Sequence, residues 1–151
     1  MINNDNSYCV FRKDRLGTNG GGVCILTRKD TVRASAVKLP IVFSSVEIVA
    51  IDIHNCNPPT RLITCYRPPS ADTSEEAVKQ MQLFTTCLEQ LCNVDATILI
   101  TGDFNLPTIH WINQTLDSNH TQPTCSEIFL QFCNEQALCK LVNDVTKQIK
   151  P

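Results

Sequence analysis

Between Arg61 and Thr101 the spacing of apolar residues changes from that of a strand to that of a helix and back, which limits the chain to a layered α/β architecture. Arg61–Tyr66 is a short strand-like run. It stops at Pro68-Pro69, because proline lacks the N–H that a ladder needs. Ala77, Met81, Phe84, Leu88 and Leu91 then recur at spacings of four and three, which places them on one helical face. Thr73 and Glu76 stand in front of them at capping-box spacing. Thr97–Thr101 is again short and apolar, and Gly102 ends it.

The flanking segments extend this pattern. Tyr8–Arg12 and Val23–Thr27 predict two strands of a hairpin, joined by a turn that contains Gly17 and Gly20-Gly21-Gly22. Thr31–Lys38 predicts a further strand, ended by Pro40. Val46–Ile53 is almost continuously apolar, which fits a central strand buried on both faces. Downstream, Thr124 and Glu127 form a second capping-box pair. Ile128, Phe129 and Phe132 then give a helix an apolar face up to about Leu138, and Leu141-Val142 is expected to open another strand. The 151 residues suit a single domain.

The net charge of −2 supplies no global basic field, so contact with nucleic acid has to come from local Arg and Lys. No apolar run is long enough for a bilayer, and the polar Met1–Tyr8 offers no signal segment. The 9 cysteines are odd in number and include no Cys-x-x-Cys pair. Cys24, Cys65, Cys87 and Cys133 interleave with apolar residues. They read as reduced, buried thiols of an intracellular protein, in the nucleus or cytoplasm.

The chemistry gathers at the ends of two predicted strands. After Ile98-Leu99-Ile100-Thr101, Gly102 turns the chain, and Asp103 and Asn105 follow two residues apart, so they share a face in extended backbone. At the C-terminal rim of a sheet, an Asp can orient or deprotonate water and an Asn can donate to a phosphate oxygen. Taken alone, the same residues equally describe an Asx turn at a strand end. Tyr66 and Arg67 end the earlier strand; a phenol and a guanidinium can both bind phosphate, although a packed tyrosine beside a solvated arginine reads the same way. The glycine run lacks the Gly-Lys-Ser/Thr and the following helix of a phosphate loop, so it reads as a hairpin turn. His54, His110 and His120 lack helical metal-pair spacing: His54 reads as a rim residue, His110 as a neighbour of the candidate site, and His120 as loop.

Taken together, Gly20-Gly-Gly-Val-Cys-Ile-Leu26, Val46-Glu-Ile-Val-Ala-Ile51, Tyr66-Arg-Pro-Pro69 and Ile98-Leu-Ile-Thr-Gly-Asp-Phe-Asn-Leu-Pro107 resemble, in order and spacing, the endonuclease domain of non-LTR (LINE-type) retrotransposons. That domain belongs to the endonuclease/exonuclease/phosphatase (DNase I-like) superfamily. Phe129–Asn143 also resembles the stretch that follows Gly-Asp-Phe-Asn in these elements.

The resemblance implies part of a DNase I-like four-layer α/β sandwich and a Mg²⁺-dependent nick in DNA whose 3′-hydroxyl primes reverse transcription. It implies that Tyr66 contacts the scissile phosphate, that Asp103 positions or activates the attacking water, and that Asn105 helps to hold the phosphate. Arg67 is the candidate substrate-binding cation. The implied partners are DNA and a reverse-transcriptase domain in a parent polyprotein, with no membrane.

The family also uses an Asn and a metal-binding Glu upstream, and a Ser-Asp-His motif downstream. The expectation is therefore the central portion of the domain with both ends truncated, inactive alone, whose principal metal ligand is no residue of this sequence. Glu47 lies in a predicted central strand and is not expected to be that ligand. The alternative is a non-enzymatic remnant or binding module derived from a retroelement. A calcineurin-like metallophosphatase would need a later Gly-Asn-His, and Gly102 is the last glycine.

Overall fold

The computed structural model describes residues 6–15, 17, 21–70, 73–111, 113–116 and 124–142. They fall in two compact units, which divide the chain into Met1–Pro69 with Thr86–Asn105 and Ser70–Thr85 with Leu106–Pro151.

The first unit opens with the expected hairpin. β1 (Tyr8–Asp14) pairs antiparallel with β2 (Gly22–Arg28), from Tyr8↔Arg28 to Asp14↔Gly22. Gly21 and Gly22 take positive φ at the turn, and Gly20 lies outside the described residues. The hairpin packs on β4 (Glu47–Ile53) and β5 (Thr60–Tyr66). These strands belong to a 4-stranded sheet in the order β3-β4-β5-β6, with β3 at Ala34–Ala36 and β6 at Thr97–Asp103. β3 is shorter than the run Thr31–Lys38 predicted, and a 3-10 turn at Ile41–Phe43 follows Pro40.

β4 is central, as its apolar run requires. Glu47, Ile48, Ala50 and Ile51 are buried, so both of its faces are covered. Among the described residues β6 pairs with β5 alone, at the edge of the sheet. Ile98 and Ile100 are half-buried, but Leu99 is 39% exposed. β4 and β5 are antiparallel, whereas β5 and β6 run parallel. A parallel pair needs a crossover, and the helix α1 (Glu75–Cys92) supplies it.

The whole predicted stripe of α1 is buried: Ala77, Met81, Phe84, Leu88 and Leu91. Its cap is one residue later than the sequence predicts. The Ala77 N–H donates to Ser74 Oγ (3.2 Å) and the Val78 N–H to the Ser74 carbonyl (2.9 Å), so Ser74, not Thr73, is the N-cap. Glu75 and Glu76 then occupy the first turn, where the helix dipole favours them. At the other end, Arg61 of β5 donates to the Leu91 carbonyl (3.0 Å) and binds both oxygens of its cross-strand partner Asp52 (2.7 and 2.9 Å). The same bonds lower the pKa of Asp52. On β4's far rim, His54 Nε2 is 2.9 Å from Ser35 Oγ.

In the second unit, α2 (Cys125–Glu135) begins with the predicted capping box. The Glu127 N–H donates to Thr124 Oγ1 (3.1 Å), and the Thr124 N–H to Glu127 Oε2 (2.7 Å). The helix stops before Leu138. Ala137 takes φ 51, and the N–H groups of Leu138 and Ala137 close back on the carbonyls of Cys133 (2.8 Å) and Asn134 (3.1 Å), a Schellman ending. Leu141 and Val142 are exposed and in no strand, contrary to expectation. Trp111 and Phe132 both pack on Phe129, at centroid distances of 6.2 and 5.9 Å. A small hairpin, β7 (Ile109–His110) with β8 (Thr115–Leu116), was not legible in the sequence.

Cys65 and Cys87 are buried as expected, but Cys24 is exposed and Cys133 intermediate; Cys24 lies on the face of β2 opposite the buried Ile25 and Thr27. Burial pushes the Cys65 thiol up to about 12 and Cys87 up to about 11, so both stay protonated.

Candidate functional site

Parallel pairing brings the C-terminal ends of β5 and β6 to the same rim. In the register, Tyr66 lies directly beside Asp103, and Glu47 lies beside Tyr66 on its other flank. Residues directly opposite in a ladder share a face, so Glu47, Tyr66 and Asp103 form one row across the sheet. Asp103 is exposed, Tyr66 is intermediate, and Glu47 is buried.

The approach depends on Gly102. A Cβ there would meet the Cys65 carbonyl oxygen at 1.9 Å, and φ is +148. Only glycine lets β6 come this close to β5 one residue before Asp103.

Beyond Asp103 the chain folds back. Asp103 Oδ1 accepts the Asn105 N–H (3.2 Å), and Asn105 takes φ 48, a conformation that Asn tolerates better than most residues. This is the Asx turn that the sequence left as an alternative, and it coexists with the alignment of Tyr66 and Asp103. The Asn105 amide Nδ2 donates to the Arg67 carbonyl (2.7 Å), and the Arg67 N–H donates to the Asp103 carbonyl (2.9 Å). Arg67 Nη1 donates in return to the Asn105 carbonyl (2.9 Å). Arg67 is only 7% exposed. Its guanidinium therefore holds the backbone of this turn.

On the other flank of Tyr66 stands a residue that the sequence reading did not single out. Arg15 Nε and Nη2 donate to the two oxygens of Glu47 (2.7 and 3.2 Å), and Arg15 Cζ lies 5.2 Å from the Tyr66 ring centroid. The bond to Glu47 is the largest of the effects that raise the Arg15 pKa. Gly21 makes room: a Cβ there would come within 2.9 Å of Arg15 Cζ. Arg15 and Glu47 lie more than thirty residues apart, and no periodicity links them, so the sequence carries no signal of the pair. His110, read as a neighbour of the site, is exposed on β7 in the second unit.

A hard divalent cation needs several oxygen ligands converging on one point. Asp103 offers one carboxylate, and both oxygens of Glu47 are engaged by Arg15. Among the described residues no group of three or more His, Cys, Asp or Glu could hold a metal ion. These residues do not by themselves fit a Mg²⁺ site.

A family model described as endonuclease-reverse transcriptase matches residues 60–150. The chain belongs to that family. The endonuclease-reverse transcriptase match begins at the first residue of β5 and takes in Tyr66, Arg67, Asp103 and Asn105. It makes this chain a retroelement domain of the endonuclease/exonuclease/phosphatase type, and its mixed sheets and helices a partial DNase I-like α/β fold. Arg15 and Glu47 precede the matched residues. No curated protein matches the sequence.

Proposed function

We propose that this chain supplies the phosphate-facing groups of a Mg²⁺-dependent endonuclease that nicks target DNA to prime reverse transcription. One observation carries the reading: Tyr66 and Asp103 are register partners at the C-terminal rim of parallel strands, within a sequence matched by an endonuclease family. In such a site the Tyr66 hydroxyl donates to a phosphate oxygen, and Asp103 orients the attacking water or takes its proton. Asn105 and Arg67 hold the turn that aims Asp103, through their reciprocal bonds. The incomplete donor set supports the further reading that these residues alone do not catalyse. The partners are DNA and a linked reverse-transcriptase domain, and the place of action is inside the cell, where DNA is reached.

A second reading, a non-enzymatic nucleic-acid-binding module, is favoured by that same incomplete donor set. Plasmid nicking in Mg²⁺, run beside binding of a labelled DNA duplex, tests whether the chain engages DNA and whether it cuts alone. The expected result is salt-dependent binding by the chain, with no more nicking than Asp103→Ala. Nicking abolished by Asp103→Ala would retain the enzyme and discard only the claim of inactivity. Absence of binding at about 50 mM salt, where phosphate contacts are strong, would overturn both readings.

A further inference from the structure

We infer that Arg15 is a phosphate-binding residue of this rim, held by Glu47 so that the guanidinium edge turned from the carboxylate takes one phosphodiester of the DNA strand that Tyr66 meets. The inference rests on the endonuclease reading and adds a residue outside the sequence match, which starts at residue 60.

A chain of net charge −2 must bind phosphate with local cations. Near this rim Lys13 Nζ donates to the Phe43 carbonyl (2.8 Å), and Arg67 is buried with Nη1 on the Asn105 carbonyl. Arg15 keeps 35% of its side chain exposed. A guanidinium has five N–H donors in a rigid fork. Glu47 takes one edge through Nε and Nη2, which leaves the Nη1 end directed away from the carboxylate. Its Cζ lies 5.2 Å from the Tyr66 ring centroid, so the group sits beside the phenol.

Glu47 therefore acts as a buried anchor, its side chain only 10% exposed, and Arg15 as the cation it aims. Such anchoring removes rotamer freedom before the ligand arrives, so less is lost on binding. Gly21 belongs to the same device, because any side chain there would displace the guanidinium.

Arg15→Gln alone would leave Glu47 as an unpaired buried charge and threaten the fold. The test therefore uses Arg15→Gln with Glu47→Gln, which preserves net charge, and Glu47→Gln alone, which keeps the cation. The control is Arg28→Gln with Asp30→Asn, a charge-neutral change to an exposed pair at the other end of the hairpin. Affinity for a labelled duplex is measured against salt, with circular dichroism verifying the fold. Removing Arg15 should lower the slope of log affinity against log salt by about one. The control and Glu47→Gln alone should keep the wild-type slope. An unchanged slope without Arg15, or an equal loss in Glu47→Gln alone, would overturn the inference and leave the endonuclease reading standing. Failure of the wild-type chain to bind the duplex would overturn both.

Discussion

At Gly102 the backbone passes so close to the neighbouring strand that the carbonyl of Cys65 occupies the place of a side chain, 1.9 Å from where a Cβ would stand. A carbonyl in mid-ladder cannot swing aside as a flexible side chain can. Gly102→Ala should therefore part β5 from β6 at the rim, lower stability by about 2–4 kcal/mol, and shift the urea midpoint accordingly; an unchanged midpoint would contradict this reading of Gly102. Within the motif, the residue types were legible in the sequence because each has a local cause. Gly102 allows the close approach, Asp103 accepts the bond of an Asx turn, and Asn105 tolerates positive φ. The setting of Arg67 was not legible: whether a guanidinium faces solvent or two strand ends depends on pairing across 38 residues. Arg15 was hidden for the same reason, since its partners Glu47 and Tyr66 come from other strands.

Single elements were easiest to read where a periodic apolar face meets a covered surface. The stripe Ala77–Leu91 and the run of β4 are both buried as their patterns require. Periodicity could not show that β6 lies at an edge, since an edge strand with one covered face and a central strand can carry the same apolar letters. Helix ends were read to within a residue or a few. Thr73 and Ser74 are both competent caps, and only the Ala77 bond distinguishes them. At the end of α2 the left-handed position that commonly holds glycine is filled by Ala137 (φ 51). Ala137→Gly should relieve that strain and stabilise the second unit by about 0.5–1 kcal/mol, read as a rise in the melting temperature. A fall would mean that the Schellman ending is not held as described.

For the whole molecule, the layered α/β class follows from the order of strands and helices, and the family from motifs joined in one sequence. The chain divides into two compact units, and prolines stand at two of the boundaries, Pro68-Pro69 before Ser70 and Pro107 after Leu106. The decisive arrangement is the parallel pairing that sets Tyr66 beside Asp103. It gives the β4-β5-β6 sheet two unlike rims: one with Glu47, Tyr66 and Asp103, the other with Ile53, Thr60 and Thr97. If the first rim is where a phosphodiester is engaged, a bound strand must be felt there and not at the other. Titration of the ¹⁵N-labelled chain with a short DNA duplex measures this directly through backbone amide shifts. The account predicts that the amides of Tyr66, Asp103 and Asn105 move together with duplex concentration while those of Ile53, Thr60 and Thr97 stay fixed; shifts confined to the second rim would contradict it.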